Sequence, residues 1–422
     1  MGALTLTPNI ATWSIAALAT LGVILRPFAW PEAIWATLGA VLLVVLGLMP
    51  WSVALDGVAK GTDVYLFLVG MMLLSEVARK EGLFDWLAAH AVRAAQGSAT
   101  RLFTLVYLVG TVVTVFLSND ACAVVLTPAV FAATKAAGVK QPLPYLFICA
   151  FIANAASFVL PISNPANLVV FAEHMPPLGR WLATFTLPSV LAIVATYLVL
   201  RLTQNGSLQT ETVATDVDTP ALGRGGLIAA CGIVATGAAL IGASAAGIEL
   251  GLPTFVAGLA TTFVVLLINR GGVVEVVRDV SWSVLPLVAG LFVLVEALEK
   301  TGVLGMLADL LKRAADSDPA ATAWAGGALV AFGSNLVNNL PAGLLAGAAV
   351  QSAHVPETVA GAILIGVDLG PNLSVTGSLA TILWLTAIRR EGQDVSAWGF
   401  LKLGMLVMPP ALVLALGALI LV

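Results

Sequence analysis

Long apolar blocks follow one another along nearly the whole chain, each closed by a short polar or charged interruption. A helix needs about 20 apolar residues to cross a bilayer. Blocks of that order lie at 9–25, 32–49, 62–79, 181–201, 226–246, 252–269, 282–298 and 398–422. An amphipathic stretch at 83–95 reads as interfacial. The period-two alternation of a membrane β-barrel is absent from the sequence.

Four further blocks carry polar residues at their centres. Block 102–133 has Ser118-Asn119-Asp120 in the middle, with arms of about 15 residues, or roughly 22 Å of helix, against a core of about 30 Å. Block 323–350 has the same form, with Asn335 and Asn338-Asn339 at its tip. Both predict re-entrant helical hairpins. Blocks 144–171 and 358–388 are long enough to cross, yet Pro161-Ile162-Ser163-Asn164-Pro165 interrupts one, and Gly370-Pro371 through Thr376-Gly377-Ser378 the other. Proline lacks an N–H and clashes with the preceding turn, so both helices should break there.

The pattern repeats. Residues 65–95 match 285–315 at a constant offset of 220: Gly70 with Gly290, Glu76 with Glu296, Lys80 with Lys300, Gly82 with Gly302, and Arg93-Ala94-Ala95 with Arg313-Ala314-Ala315. Asn119-Asp120 lies opposite Asn338-Asn339 if one residue is deleted, and LPISNPANL (160–168) opposite SVTGSLATI (374–382). A first repeat therefore covers 1–202, a polar cytoplasmic linker 203–224, and a second repeat 225–422. Three spans, a hairpin, a broken span and a final span give five crossings per half, an odd number that inverts the second half. This orientation puts fourteen of the nineteen Lys and Arg residues on the cytoplasmic side, as the positive-inside rule requires. The predicted fold is an all-α polytopic membrane protein of two inverted repeats. It has about ten transmembrane helices plus two re-entrant helical hairpins, and two of its helices are discontinuous. Both termini are expected on the outer (periplasmic) side of the inner (plasma) membrane.

Composition agrees: the chain is 59% hydrophobic and 10% charged, where a soluble domain carries roughly 25% charged residues. The net charge of −4 points to no nucleic-acid partner. No basic region precedes the first block, which reads as a retained helix rather than a signal peptide.

Inverted repeats with discontinuous helices mark secondary transporters, whose sites form where the breaks converge. The break and tip residues Ser118, Asn119, Ser163, Asn164, Asn338, Asn339, Thr376, Gly377 and Ser378 are the candidate substrate-binding set, and Asn167, Asn372 and Ser374 accompany them. The set offers amides and hydroxyls without Lys, Arg or His, which suits a neutral, hydrogen-bonding solute. Asp120 and Asp368 are its two acids. A carboxylate at membrane depth is costly when ionised, so both are candidate proton carriers; the competing reading is that each caps a broken helix. Glu76 and Glu296 are expected to face water or pair with nearby Arg or Lys. His90, His174 and His354 fall in interfacial or loop sequence. Cys122, Cys149 and Cys231 are far apart in sequence and make no metal-binding pattern; Cys122 reads as a small buried residue, with a soft-metal ligand as the alternative. Neither a metal nor a cofactor is expected, and the chain reads as a carrier rather than an enzyme.

VDLGPNLSVTGSLATILWL (367–385) resembles the signature of the ArsB-type arsenite/antimonite efflux carriers. FLSNDACAVVLTPAV (116–130) and SNLVNNLPAGLLAG (334–347) resemble that family's hairpin motifs, and FIANAASFVLPISNPANLVV (151–170) its first broken helix. The hairpin pattern is shared by the wider ion-transporter superfamily. The resemblance implies export of arsenite or antimonite as the neutral trihydroxide in exchange for protons, by an elevator-like motion, with a cytosolic ATPase subunit as a possible partner. The alternatives are a sodium- or proton-coupled anion or cation carrier of the same superfamily, or a passive channel, which does not need broken helices.

Overall fold

A computed structural model describes residues 2–171, 175–215, 217, 219–269 and 272–422. His174, weighed above, lies outside the described residues. All regular structure among the described residues is helical, as the apolar blocks predict. Seven described helices are individually long and apolar enough to cross a membrane. An eighth results if Trp51–Lys60 and Thr62–Lys80, bent by 48°, count as one span. The shortfall from ten arises where helices are short, as at Glu32–Val45, or interrupted.

The first half begins with Gly2–Leu25, Glu32–Val45 and Thr62–Lys80, then the amphipathic Leu83–Ala95. The second half answers with Arg224–Ala245, Gly251–Asn269, Val284–Lys300 and Val303–Ser317. Two repeat matches have local causes. Gly82 and Gly302 start the amphipathic helices at φ 72° and 83°, a left-handed conformation that glycine adopts without steric penalty. Gly70 and Gly290 permit helix contact between the halves. A Cβ at Gly70 would stand 2.3 Å from the Thr254 carbonyl oxygen of Gly251–Asn269, and one at Gly290 would stand 2.7 Å from the Ala36 carbonyl carbon of Glu32–Val45.

Each of the two hairpin blocks is a pair of helices joined at a polar tip. Their first arms, Ala99–Phe116 and Pro319–Val337, are longer than predicted and are two of the seven helices long and apolar enough to cross a membrane. The first block runs Ala99–Phe116 and then 119–136; the second runs Pro319–Val337 and Asn339–Ala353. Caps extend the outer ends: Ser98 Oγ accepts from Arg101 N–H at 3.3 Å, and Asp318 Oδ1 from Ala321 N–H at 3.0 Å. In the descending arm of the first hairpin, Cys122–Leu126 widens into a π-turn. Pro128 follows it; a proline ring clashes with the carbonyl four residues back, and the wider turn makes room.

The hairpin register corrects the alignment. No residue is deleted: Ser118 and Asn338 are both tip residues, and Asn119 and Asn339 both open the second arm. Asn119 therefore corresponds to Asn339, and Asp120 to Leu340, at the same offset of 220.

The broken helices lie where the prolines and glycines placed them. Leu143–Ala155 leads through a tight turn at Pro161–Ser163 to Pro165–Phe171; Glu357–Leu369 leads through turns at Gly370–Leu373 and Val375–Gly377 to Leu379–Arg390. The final helices, Leu178–Thr203 and Ala397–Leu421, pack on each other. The linker carries a short helix, Asn205–Thr210, and is tied down where Glu211 accepts from the N–H groups of Lys140 and Gln141 at 3.0 and 2.9 Å.

Overpacking a tight contact costs about 1–3 kcal/mol or more. Gly70→Val and Gly290→Val are each expected to lower the thermal unfolding midpoint of the detergent-solubilised protein. Gly333→Ala, at a position where a Cβ meets nothing within 4 Å, is expected to leave it nearly unchanged.

Candidate functional site

The four chain breaks meet. A cavity of about 30 Å³ is bounded by Asn119 and Asp120 from the first tip, Asn339 and Leu340 from the second, Asn164 from one broken helix and Ser378 from the other. A space of this size holds one or two waters. Leu68 and Val288, from the third spans of the two halves, close its sides. The cavity adjoins a vestibule of about 520 Å³ that Asp120 and Pro165 also line. Ser75, Glu76, Arg79 and Arg390 stand along that vestibule.

Each wall residue is held by the break it sits on. Ser118 adopts φ 141° and Asn338 φ 71°, conformations rare for residues other than glycine and found where surrounding contacts enforce them. Ser118 Oγ accepts from Ala121 N–H (3.4 Å), and Asn119 Oδ1 from Asp120 N–H (2.9 Å). Asn338 Oδ1 accepts from Leu340 N–H, while its Nδ2 donates to the Thr376 carbonyl, both at 3.3 Å. On the broken helices, Asn164 and Ser378 are extended and cap the helices that follow. Asn164 Oδ1 accepts from Ala166 N–H (3.0 Å) and Ser378 Oγ from Thr381 N–H (3.1 Å). Such caps satisfy N–H groups that have no partner within the helix.

The predicted set divides into three. Asn119, Asp120, Asn164, Asn339 and Ser378 line the cavity. Ser118 faces the vestibule, and Asn338 a separate small space beyond the second tip. Ser163, Thr376 and Gly377 brace the assembly. Ser163 Oγ donates to the Val115 carbonyl (2.9 Å), Thr376 Oγ1 to the Asn335 carbonyl (3.2 Å), and a Cβ on Gly377 would fall 2.6 Å from Asn335 Oδ1.

The two acids sit differently. Asp120 is partly exposed to the vestibule, whereas Asp368 is fully buried behind Asn164. Asn164 Nδ2 donates to Asp368 Oδ1 at 2.7 Å; Asp368 Oδ2 has no hydrogen-bond partner among the described residues, with Ser157 close by.

Two residues of this lattice, Asn154 and Thr381, escaped sequence reasoning, whereas Asn335 was placed at the second tip. Asn154 Nδ2, fully buried, donates to Asn372 Oδ1 (3.0 Å) and Thr381 Oγ1 (3.4 Å), and Thr381 Oγ1 exchanges a 2.7 Å bond with Ser378. Asn335 carries Ser374 at 2.7 Å. The signal was present: the offset of 214 that pairs 160–168 with 374–382 also pairs Asn154 with Asp368 and Asn167 with Thr381. Each half thus sends a polar residue from before its own break to a residue at or after the break of the other.

Glu76 and Glu296 take the second of the two expected courses, pairing with nearby Arg and Lys. Both are buried and paired, Glu76 with Arg79 at 2.6 Å, and Glu296 with Lys60 and with Lys300 (3.7 Å). His90 Nδ1 is bonded to the Trp86 carbonyl, and His354 lies on an exposed helix end. Cys122 and Cys149, distant in sequence, are adjacent: the Cys122 thiol donates to the Cys149 carbonyl at 3.6 Å. Both are fully buried and neither lines the cavity. Among the described residues, no three His, Cys, Asp or Glu side chains converge as metal ligands.

The profile of the citrate transporter family (CitMHS) matches residues 19–391. The chain belongs to that family. This citrate transporter family member is also similar along nearly its whole length to proteins named arsenical pump membrane proteins. The one from Escherichia coli K12 is 29% identical over 410 residues, covering 91% of this chain and 92% of the relative. The one from Yersinia enterocolitica is 28% identical over 412 residues, covering 92% of each. An uncharacterised transporter of Mycobacterium tuberculosis is 28% identical over 376 residues, covering 84% of each. Among solved structures, the fold matches the YdaH transporter of Alcanivorax borkumensis with a TM-score of 0.59 at 17% identity, covering 98% of this chain and 97% of that one. It matches MtrF of Neisseria gonorrhoeae with a TM-score of 0.54 at 12% identity, covering 98% and 94%. The protein is a multi-pass membrane transporter with the fold of this group.

Losing the Asn164 amide leaves the buried Asp368 without its hydrogen-bond donor, at a cost of about 1–3 kcal/mol. Asn164→Ala is expected to lower the unfolding midpoint of the purified protein. Combining it with Asp368→Leu is expected to lower the midpoint by less than the sum of the two single effects, which a double-mutant cycle measures.

Proposed function

We propose that this transporter exports arsenite and antimonite as neutral trihydroxides across the inner membrane, in exchange for protons. The observation that carries the reading is the cavity where both tips and both broken helices meet. It is walled by three amides, a hydroxyl and one carboxyl, without Lys, Arg or His. Arsenious acid is a small pyramid of three hydroxyls, and amide and hydroxyl groups can hold it without providing charge. The similarity to arsenical pump membrane proteins over nine-tenths of the chain supports this substrate class.

Asp120 and Asp368 carry the exchanged protons in this reading. Asp120 meets the vestibule and the cavity together, so it can exchange a proton with water and sense the solute. Asp368 is sealed and communicates through Asn164, which it binds and which lines the cavity. The hairpins, broken helices and final helices move as one body past the remaining spans in an elevator-type cycle. Both termini lie on the periplasmic side, and a cytosolic ATPase subunit can add drive to the same carrier.

A second reading is a sodium- or proton-coupled carrier of organic anions. Two observations favour it: the family's description as citrate transporters, and the two arginines, Arg79 and Arg390, on the vestibule wall.

Everted membrane vesicles separate the two. Proton-gradient-driven arsenite uptake that an uncoupler abolishes is the expected result; sodium-dependent citrate or succinate uptake without arsenite uptake would establish the second reading. Asp120→Asn and Asp368→Asn are each expected to reduce proton-driven arsenite uptake at least about tenfold, equivalent to about 1.4 kcal/mol. Full pH-dependent transport in both variants would remove the proton-carrier assignment.

A further inference from the structure

The vestibule has a closed counterpart. A space of about 20 Å³ lies between the second hairpin tip and Val284–Lys300. Six of its eight walls are the repeat mates of vestibule walls; Val23 and Glu32 are the other two. Leu287 and Leu291 stand 220 residues after Phe67 and Met71. Asn338 and Leu340 stand at the same offset after Ser118 and Asp120, and Leu379 follows Pro165 by the 214 residues that relate the broken helices. Two equivalent surfaces thus bound one open and one nearly collapsed space.

The necks correspond as well. Asp120 and Pro165 line both the vestibule and the site cavity; Leu340 and Leu379 line both the site cavity and the closed space. We propose that the closed space is the innermost part of a second passage, related to the vestibule by the pseudo-two-fold of the repeat, and that Leu340 with Leu379 is the apolar gate between that passage and the site cavity. The inference rests on the reading of the protein as an alternating-access carrier, and not on its substrate or coupling ion.

Physical chemistry gives the gate its function. A narrow constriction lined by leucine excludes water, and a hydrated or hydroxylated solute must shed its partners to pass. The other neck carries a carboxyl at the corresponding position and stays wet. Two bonds hold the leucines together. Asn338 bonds Leu340 N–H and the Thr376 carbonyl, and so fastens the tip to the turn just before Leu379. Ser378 caps the helix that Leu379 begins. On the far wall the ionisable group is Glu32, paired with Arg26.

The test uses the full chain with its three cysteines replaced by serine, and a membrane-impermeant thiol reagent applied to right-side-out and everted vesicles. Ser75→Cys, in the vestibule, is expected to react from one face, and Leu291→Cys from the opposite face only. Adding Leu340→Ala to Leu291→Cys is expected to abolish that sidedness, so that both faces label at similar rates, while Leu340→Met preserves it. Size-exclusion profiles confirm that each variant is folded. Three results would each overturn the proposal. One is reaction of Leu291→Cys from the same face as Ser75→Cys. Another is failure of folded Leu291→Cys to react from either face. The third is retained sidedness in both Leu340→Ala and the Leu340→Ala/Leu379→Ala double variant. Absence of arsenite uptake would remove the substrate reading and leave these labelling outcomes intact.

Discussion

Backbone that leaves a helix at membrane depth has no water to bond with, and every exposed N–H must find a protein partner. The arrangement of this transporter's interior follows from that constraint. Four helices begin inside the structure, and a side chain caps each of them: Ser118, Asn338, Asn164 and Ser378. These caps must be small, polar and fixed, so they are hydroxyls and amides. They must also sit at the helix starts, which is where the breaks converge. Asn164 and Ser378 thus complete the backbone and wall the cavity at once.

A second layer holds the caps. Ser163 reaches the Val115 carbonyl, Asn335 receives Ser374 and Thr376, and Asn154 reaches across the halves to Thr381. Buried polar lattices of this kind specify one geometry when fully satisfied. Among the described residues, buried oxygens without a hydrogen-bond partner include Asp368, Asn154 and Asn167 at the broken helices and Ser189, Thr196 and Thr262 within unbroken spans.

The fold was legible because membrane helices announce themselves by length and hydropathy, and because Pro161, Pro165 and Pro371 fall beside Ser, Asn and Gly, unlike Pro188, Pro409 and Pro410, which sit within continuous helices. The repeat was legible where glycine was obligatory, as at Gly70 and Gly290, since no other residue fits the contact. The tip register was not. Asn119-Asp120 and Asn338-Asn339 look alike in composition, and only the backbone conformations of Ser118 and Asn338 show which residue turns the chain. Asn154 went unnoticed because it lies at the end of an apolar helix, ahead of the break, and Asn335, though placed at the second tip, was not given its partner. Their role depends on a partner 227 residues away in one case and 39 in the other. Spatial proximity of that range is not carried by local pattern, and the same holds for the adjacent Cys122 and Cys149.

Symmetry sets the geometry of the site, and departures from symmetry set its chemistry. Each half contributes one acid, but at different places: Asp120 is mirrored by Leu340, and Asp368 by Asn154. Two carboxyls facing each other across so small a cavity would repel and could not both ionise, so an acid in place of Leu340 opposite Asp120 is disfavoured. The asymmetric solution puts one carboxyl where the cavity meets the vestibule and one behind an amide. That amide is bonded at both ends. Asn164 presents its oxygen to Ala166 N–H and one N–H to Asp368, which leaves its second N–H and second lone pair for the cavity. It can donate to an ionised Asp368 while capping the helix. It cannot turn its oxygen toward a protonated Oδ1 without releasing that cap. The charge on a buried acid and the start of a broken helix are thereby joined at a single side chain on the cavity wall.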